Sequence, residues 1–488
     1  MTALEAVFKA YDVRGTVPEQ LDGRSCRAIG WAFARFTGTS RIVVARDMRE
    51  SGVELSAAFA SGARRAGATV VDLGLASTDM MYFASGRLDA PGAMFTASHN
   101  PAAYNGIKMC LAGAMPVGQD TGLAVIRDEA QQALATGADD GPETGGYEQR
   151  ELIDEFAEHV RSFIDASALR RLKVVADTAN GMGGLVVPKV FEGLPVELEI
   201  LFGELDGTFP NHPADPIQEE NLQDLKIAVV AAGADIGLAF DGDADRVFLV
   251  DEQARPVSGS LTTALVARAM LEKNPGATVL YNLICSKIVP ETIEKYGGTA
   301  VRTRVGHSFI KQVMADTGAV FGGEHSGHYY FMDNYRADSG LIAAMVVLEE
   351  LSAAGVALSE LLAPYRKYSD SGEINTEVTD PAEAVESLAE HFAAQGLVCD
   401  RTDGLTVDFD DWWFNVRPSN TEPLLRLNVE AASPEACALH VKELLKLVGE
   451  LPGEMAAPEL IVILPNTEAV PVKVPLVALT DSGLLVLP

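Results

Sequence analysis

Basic residues are scarce in this chain of 488: Lys and Arg number 38 against 69 Asp and Glu, a formal charge of −31. Such a balance opposes loose attraction to nucleic acid or to an anionic membrane, so an anionic substrate has to be captured by locally placed cations. Cysteine is rarer. The five at positions 26, 110, 285, 399 and 437 are odd in number and form no CxxC pair. Neither a disulfide framework nor a zinc site is thereby indicated, leaving free buried thiols as the expectation. No apolar run approaches the roughly 18 residues of a membrane span. The N-terminus lacks a basic stretch followed by an apolar one, so no membrane association and a cytoplasmic location are expected. Two motifs are also missing: no Gly-Lys dipeptide exists, which excludes a Walker-type nucleotide loop, and no GxSxG elbow occurs.

What is present describes a globular chain, 48% hydrophobic and 22% charged. At roughly 150 residues per domain its length predicts about three domains or more. Short Val/Ile/Ala-rich runs alternate with helix-length amphipathic stretches, the pattern of sheets covered by helices. Three runs end in polar or glycine-rich turns: Arg41 to Asp47, Leu172 to Gly181 and Asp235 to Arg246. Ligands of such sheets gather at the carboxyl ends of strands, so these turns are where chemistry is expected. Residues 136–147 are Gly-rich and acidic and read as a linker; further breaks fall near 251–256 and 368–372. Residues 453–488, with five prolines and the runs LIVIL, LVAL and LLVL, are too apolar for disorder and read as an appended β element.

Four loops carry the chemistry. Thr96-Ala97-Ser98-His99-Asn100-Pro101, followed by Asn105-Gly106-Ile107-Lys108, places a serine on a tight turn whose amides can converge on an anion. A polar surface turn is the plain alternative; a hydrolase triad is disfavoured because sequence neighbours such as Ser98 and His99 seldom point at each other. Asp241, Asp243 and Asp245 alternate after an apolar run, a spacing that directs carboxylate oxygens at one hard cation such as Mg²⁺ and leaves room for a phosphoryl oxygen. The competing readings are a solvated acidic turn and an EF-hand. The latter has Glu252 at loop position twelve but Arg246 where glycine is needed, and β-like flanks.

Gly322-Gly323-Glu324-His325-Ser326-Gly327-His328 offers a carboxylate, a hydroxyl and imidazoles between glycines, a set suited to a polyhydroxyl ligand or to a structural turn. Arg417-Pro418-Ser419-Asn420-Thr421-Glu422-Pro423, with Arg426 beyond, joins guanidinium, hydroxyl and amide donors, as a phosphate site or an ordinary helix cap would. Lys9 to Gly15, including Tyr11 and Arg14, then Thr303 to His307, and Lys287, add scattered cations and an aromatic ring.

This set resembles the α-D-phosphohexomutase superfamily, and most closely its bacterial phosphomannomutase/phosphoglucomutase branch. The resemblance covers residues 1 to about 452 and rests on TASHNP, DGDADR, GGEHSGH and RPSNTEPLLR in that order, with YDVRG near the start. It implies an α/β fold: three similar α/β domains with mixed sheets (1–150, 151–254 and 255–368) and a smaller α+β fourth domain (369–452) around a central cleft, with 453–488 unplaced. Carried over by position, Ser98 holds the phosphoryl group, and Asp241, Asp243 and Asp245 bind Mg²⁺ together with Ser98. Glu324 and Ser326 read sugar hydroxyls, and Arg417, Ser419, Asn420, Thr421 and Arg426 hold the unreacting phosphate. Lys108 and His328 match positions for proton transfer; Arg14 and His99 join the catalytic set, and Tyr11, Arg246, Lys287 and His307 are substrate contacts. The implied reaction interconverts mannose 6-phosphate and mannose 1-phosphate, with the glucose phosphates as a second pair, through hexose 1,6-bisphosphate. Hexose phosphates are the expected partners, in a monomer or small homo-oligomer. Phosphoglucosamine mutase is the nearest rival, ahead of a phosphatase and a noncatalytic phosphosugar-binding regulator.

Overall fold

The computed structural model describes residues 3–418 and 424–449, without the side chains of Ala3, Asp120, His307 and Ser308. Ser419, Asn420, Thr421 and the 453–488 extension therefore lie outside the described residues. The chain divides into two compact units. Met1–Asn282, Val289–Arg302 and Gly306–Pro364 form the first; Leu283–Ile288, Thr303–Val305 and the chain from Tyr365 form the second.

Three mixed sheets build the first unit. In the first, the order is Val13–Thr16, Tyr104–Leu111, Gly92–Phe95, Arg41–Arg46, Thr69–Leu75 and Tyr147–Gln149, parallel from Gly92–Phe95 onward and antiparallel before it. The second runs Pro256–Val257, Val247–Asp251, Ile236–Phe240, Leu172–Asp177, Val196–Leu201. Its central strand Ile236–Phe240 is buried throughout and reads as a continuous apolar run, whereas the edge strand Val196–Leu201 alternates, with Glu197 and Glu199 turned outward. The third runs Thr299–Thr303, Thr278–Asn282, Phe321–Gly323, Tyr329–Phe331.

Helices are started by local chemistry. Asp22, Ser77, Ser258 and Ser339 each accept a main-chain N–H of the first turn that follows, satisfying a donor the helix itself cannot. Helices Gly23–Thr37 and Ser51–Arg65 touch backbone to backbone: a Cβ at Gly30 would stand 2.1 Å from the Phe59 carbonyl, and one at Gly62 would stand 1.9 Å from that of Arg27.

This framework brings chemistry to strand ends. The Ser98 loop follows Gly92–Phe95, the Asp241 loop follows Ile236–Phe240 and the Glu324 loop follows Phe321–Gly323, each at the carboxyl end of a strand with a parallel neighbour.

The second unit carries an antiparallel sheet in the order Ser369–Glu377, Leu424–Ala431, Trp412–Pro418, Leu405–Asp408, Cys399–Asp400. Helices Pro381–Ala394 and Pro434–Gly449 bury their apolar faces with it in one core.

Two stretches that read as connections are packed structure. Within 136–147, Asp139 is buried and paired with Arg27 at 2.7 Å, and Tyr147–Gln149 adds a strand to the first sheet; composition reports flexibility but not these long-range partners. The break at 251–256 is the turn of a hairpin, because Pro256–Val257 pairs back onto Val247–Asp251. All five cysteines are free, and no single helix among the described residues is long and apolar enough to cross a membrane.

His212 ties the loop after Val196–Leu201 to the end of Leu172–Asp177. Its Nδ1 lies 2.9 Å from the Pro213 carbonyl and its Nε2 3.1 Å from Asp177 Oδ2, and only the imidazolium donates from both nitrogens. Burial opposes that charge, but the Asp177 carboxylate outweighs it and raises the His212 pKa. The resulting stability is complete below the unfolded pKa of about 6.5 and is lost as pH rises through the higher folded value. Urea unfolding across that window is expected to show a decline that His212→Gln removes; an identical decline in the variant would contradict it.

Candidate active site

Ser98 adopts a left-handed backbone with φ of 49°, a conformation that costs a non-glycine residue about 1–3 kcal/mol and persists only where its surroundings enforce it. The enforcing contacts are visible. Its N–H donates to Thr96 Oγ1, its hydroxyl donates to Asp241 Oδ2 at 2.7 Å, and a Cβ at Gly242 would stand 2.4 Å from the Ser98 carbonyl. The serine loop of the first sheet and the aspartate loop of the second are therefore one contact surface.

Asp241, Asp243 and Asp245 are all buried, with ligand oxygens within 4.8 Å of one another. Lys108, from strand Tyr104–Leu111, places Nζ 2.7 Å from Asp243 Oδ2 and 2.6 Å from Asp245 Oδ2. Arg246 donates from Nε to Asp241 Oδ2 at 2.9 Å. Thr78, the first residue of helix Thr78–Leu88, donates both its N–H and its hydroxyl to Asp243, which thus sits at the positive end of that helix.

Three carboxylates thus face two fixed cations, Lys108 and Arg246, in a dry place. Burial pushes the Asp241 and Asp245 carboxyls above the usual range. Burial works the same way on Asp243, but Lys108 overrides it and holds that carboxyl well below. Lys108 is in turn held as an ammonium: burial opposes its charge, and Asp243 and Asp245 more than compensate.

Oδ1 of Asp243 and Oδ1 of Asp245 are buried and accept no hydrogen bond within the protein. Two hard oxygen donors thus remain after Lys108 is paired, and an all-carboxylate donor set suits a divalent cation of the Mg²⁺ class. The flanking strands Ile236–Phe240 and Val247–Asp251 pair antiparallel, which removes the EF-hand reading because that loop needs helices.

His99 places Nδ1 3.3 Å from Ser98 Oγ and 2.6 Å from Arg246 Nη2. The Arg246 charge, together with burial, lowers its pKa to about 2, so the ring is neutral and its Nδ1 lone pair accepts a hydrogen bond from Arg246. Arg14 donates to Asn100 Oδ1 at 2.6 Å and pairs with Asp12, fastening the first strand to the serine loop. Tyr11 packs edge-on to Phe309, with its hydroxyl against Gly306.

The Glu324 loop joins the same cluster, since Arg246 and His328 pair as an isolated β-bridge and Val247 N–H donates to the Gly327 carbonyl. Glu324 is buried: its Oε2 accepts from Tyr330 at 2.7 Å, and its Oε1 lies 3.3 Å from donors of Asn282 and Gly306. Ser326 is half-buried beside it. His328 donates through Nδ1 to Asp338 at 2.8 Å and stands 3.8 Å from Asp245; burial opposes its charge, but these carboxylates raise its pKa. Lys311, buried, pairs with Asp338 at 3.1 Å.

The first unit therefore gathers Ser98, His99, Lys108, Arg14, the three aspartates, Arg246, Glu324 and His328. Lys287, Arg417 and Arg426 belong to the second unit. Lys287 pairs with Asp408 at 2.6 Å, while Arg417 and Arg426 are opposite one another in neighbouring strands and share Glu373 at 2.7 and 3.1 Å. The side chain of His307 is among those not described.

Reading the sequence missed Arg49, Asp47, Thr78, Asp338, Tyr330 and Glu373. The one local signal was the polar turn closing the run that ends at Asp47, which continues through Met48 to Arg49.

The chain matches four domains described as phosphoglucomutase/phosphomannomutase: alpha/beta/alpha domain I over residues 5–135, domain II over 151–255, domain III over 258–368 and the C-terminal domain over 373–447. It is 41% identical over 431 residues to the phosphohexose mutases of Xanthomonas campestris pv. campestris (strain B100), covering 88% of this chain and 96% of that one. It is 40% identical over 435 residues to the phosphomannomutase of Escherichia coli (strain K12), covering 87% and 94%. A solved phosphoglucomutase/phosphomannomutase family protein from Burkholderia thailandensis superposes with a TM-score of 0.82 at 33% identity, covering 92% of this chain and 98% of that one.

The charge arrangement predicts the cost of breaking it. Lys108→Met leaves Asp243 and Asp245 buried without their counter-charge and is expected to lower stability by about 3–5 kcal/mol in urea unfolding with EDTA present. A loss under about 1 kcal/mol would show that the carboxylates do not depend on this ammonium.

Proposed function

The chain belongs to the phosphoglucomutase/phosphomannomutase family, and from that premise we infer that it is a phosphohexomutase interconverting mannose 6-phosphate and mannose 1-phosphate, with the glucose phosphates as a second substrate pair. The observation that carries the reading is the Ser98 hydroxyl, 2.7 Å from Asp241 inside a buried cluster of three aspartates. Relatives near 40% identity that are called phosphomannomutase or phosphohexose mutase support it. The domain division expected from the sequence, 1–150, 151–254, 255–368 and 369–452, is supported by the four matched stretches.

Phospho-Ser98 gives its phosphoryl group to the free hydroxyl of a hexose monophosphate: the Oγ–P bond breaks, a P–O bond to the sugar forms, and the product is the hexose 1,6-bisphosphate. The opposite phosphate of that bisphosphate then returns to Ser98, so the sugar leaves with its phosphate at the other position. Transfer of this kind depends on positioning and on neutralised charge. Asp241, Asp243 and Asp245 would hold Mg²⁺, which when bound neutralises phosphoryl charge at Ser98. Arg246 adds a fixed cation on the same side of the serine. The sugar hydroxyl proton ends on Ser98 Oγ, and Lys108 and His328, both held toward their charged forms by neighbouring carboxylates, would act in that exchange as proton donors. Glu324 and Ser326 face the sugar hydroxyls, and Arg417 and Arg426 supply guanidinium groups for a phosphate.

A coupled assay on mannose 1-phosphate, glucose 1-phosphate and glucosamine 1-phosphate, with trace bisphosphate, is expected to give turnover that EDTA abolishes and that is fastest on the mannose or glucose ester. Ser98→Ala is expected to lower kcat by about 10³-fold or more. Full activity in that variant would overturn the mechanism, preference for the glucosamine ester would overturn the substrate, and inorganic phosphate as the main product would favour a phosphatase.

A further inference from the structure

Arg49 lies outside every motif considered above, yet it is one of the most completely engaged side chains in the molecule. It is 1% exposed and spends all five of its N–H donors on the protein. Nε donates to Asp47 Oδ2 at 3.2 Å; Nη1 donates to the carbonyls of Pro101 and Tyr104 at 2.8 and 2.9 Å; Nη2 donates to those of Ser98 and Asn100 at 2.9 and 2.7 Å. The ring of Phe209 covers the guanidinium at 5.1 Å, and Gly207 lies against the Arg49 backbone, where a Cβ would stand 2.7 Å from the Arg49 Cα. Asp47 also accepts the Arg49 N–H at 3.0 Å, so the pair is locked at the end of Arg41–Arg46.

We propose that Arg49 is a positioning residue for phosphoryl transfer, acting on Ser98 through the main chain of its loop. The proposal rests on Ser98 being the phosphoryl carrier. Four carbonyl oxygens between residues 98 and 104 turn towards one planar fork, so the loop wraps around the guanidinium. Carbonyl oxygens are the negative ends of peptide dipoles. Holding four of them on one guanidinium fixes the course of the loop that presents Ser98 Oγ to Asp241, where a phosphoryl dianion has to be accommodated. Arg49 thereby adds to the contacts that hold Ser98 in its left-handed backbone, with the carbonyl bonded to Arg49 and the hydroxyl to Asp241.

A lysine at this position keeps the charge beside Asp47 but has three donors on a flexible stem in place of five in a plane, so it leaves carbonyls of the loop unheld. The loss is expected in the rate at Ser98, since misplacing a reacting atom by about 1 Å costs about 10²-fold.

The test is single-turnover labelling of dephosphorylated enzyme by hexose 1,6-bisphosphate phosphorylated with ³²P. In that step the sugar O–P bond breaks, the Ser98 Oγ–P bond forms, and the serine proton ends on the sugar oxygen. Arg49→Lys is expected to lower the labelling rate constant by about 10²-fold while the labelled amplitude per folded molecule and KM for mannose 1-phosphate stay as in the wild type. A merely structural role would reduce the folded fraction and the amplitude with the rate constant intact, and that result would overturn the proposal. Should Arg49→Lys not fold, Asp47→Asn, which retains the arginine but removes the charge that aims it, decides the matter by the same rate constant: a fall supports the proposal and an unchanged value overturns it. If the wild type itself takes no label on Ser98, the phosphomutase reading fails; if it is labelled and the variants are labelled equally fast, only the role of Arg49 fails.

Discussion

The first unit is organised around a charge problem. Three aspartates from one turn are withdrawn from water, and isolated carboxylates cannot stay ionised there without cations brought to them. Neither the second sheet nor its own loop supplies enough. Lys108 comes from the first sheet, Thr78 from the helix that follows that sheet's strand Thr69–Leu75, and His328 from the third. Compensating the buried charge therefore ties three sheets together.

Around that cluster the main chain is used as much as the side chains. The Gly242 backbone lies against the carbonyl of Ser98, and Gly340 packs on the backbone of Arg246, approaches that a Cβ would block at 2.4 and 2.7 Å. Behind the serine loop the Arg49 guanidinium collects carbonyls, and in front of it Arg246 holds Asp241 and His99. One arginine holds the carbonyl of Ser98 and the other lies near its hydroxyl. Second contacts of this kind orient first contacts; His328 is similarly aimed through Asp338, which Lys311 pairs in turn.

The second unit solves a different charge problem. Arg417 and Arg426 are cross-strand neighbours, where like charges repel, and Glu373 from the third strand of that group pairs with both. Glu373 thereby keeps two guanidinium groups close together. Lys287 is committed locally as well, to Asp408 and the Phe409 carbonyl.

Much of this was legible in the sequence because it is local. A serine in a TASHNP turn, aspartates at alternate positions after an apolar strand, and a glycine-framed Glu324 loop stand out as motifs within a few residues, and alternating apolar runs and amphipathic stretches announce an α/β fold. Residues 136–147 do fall between the matched domains I and II, but their packing on Arg27 and on the edge of a sheet was not legible, because those partners are far away in the chain. Arg49 was invisible for the same reason: an arginine after a strand looks like a surface cation until the fold places four carbonyls around it. The sequence by itself determined which groups are available and in what order. Only the tertiary structure decided their charge states and their aim, since burial and the pairing of Lys108, Thr78 and Asp338 with distant partners depend on three dimensions and not on spacing along the chain.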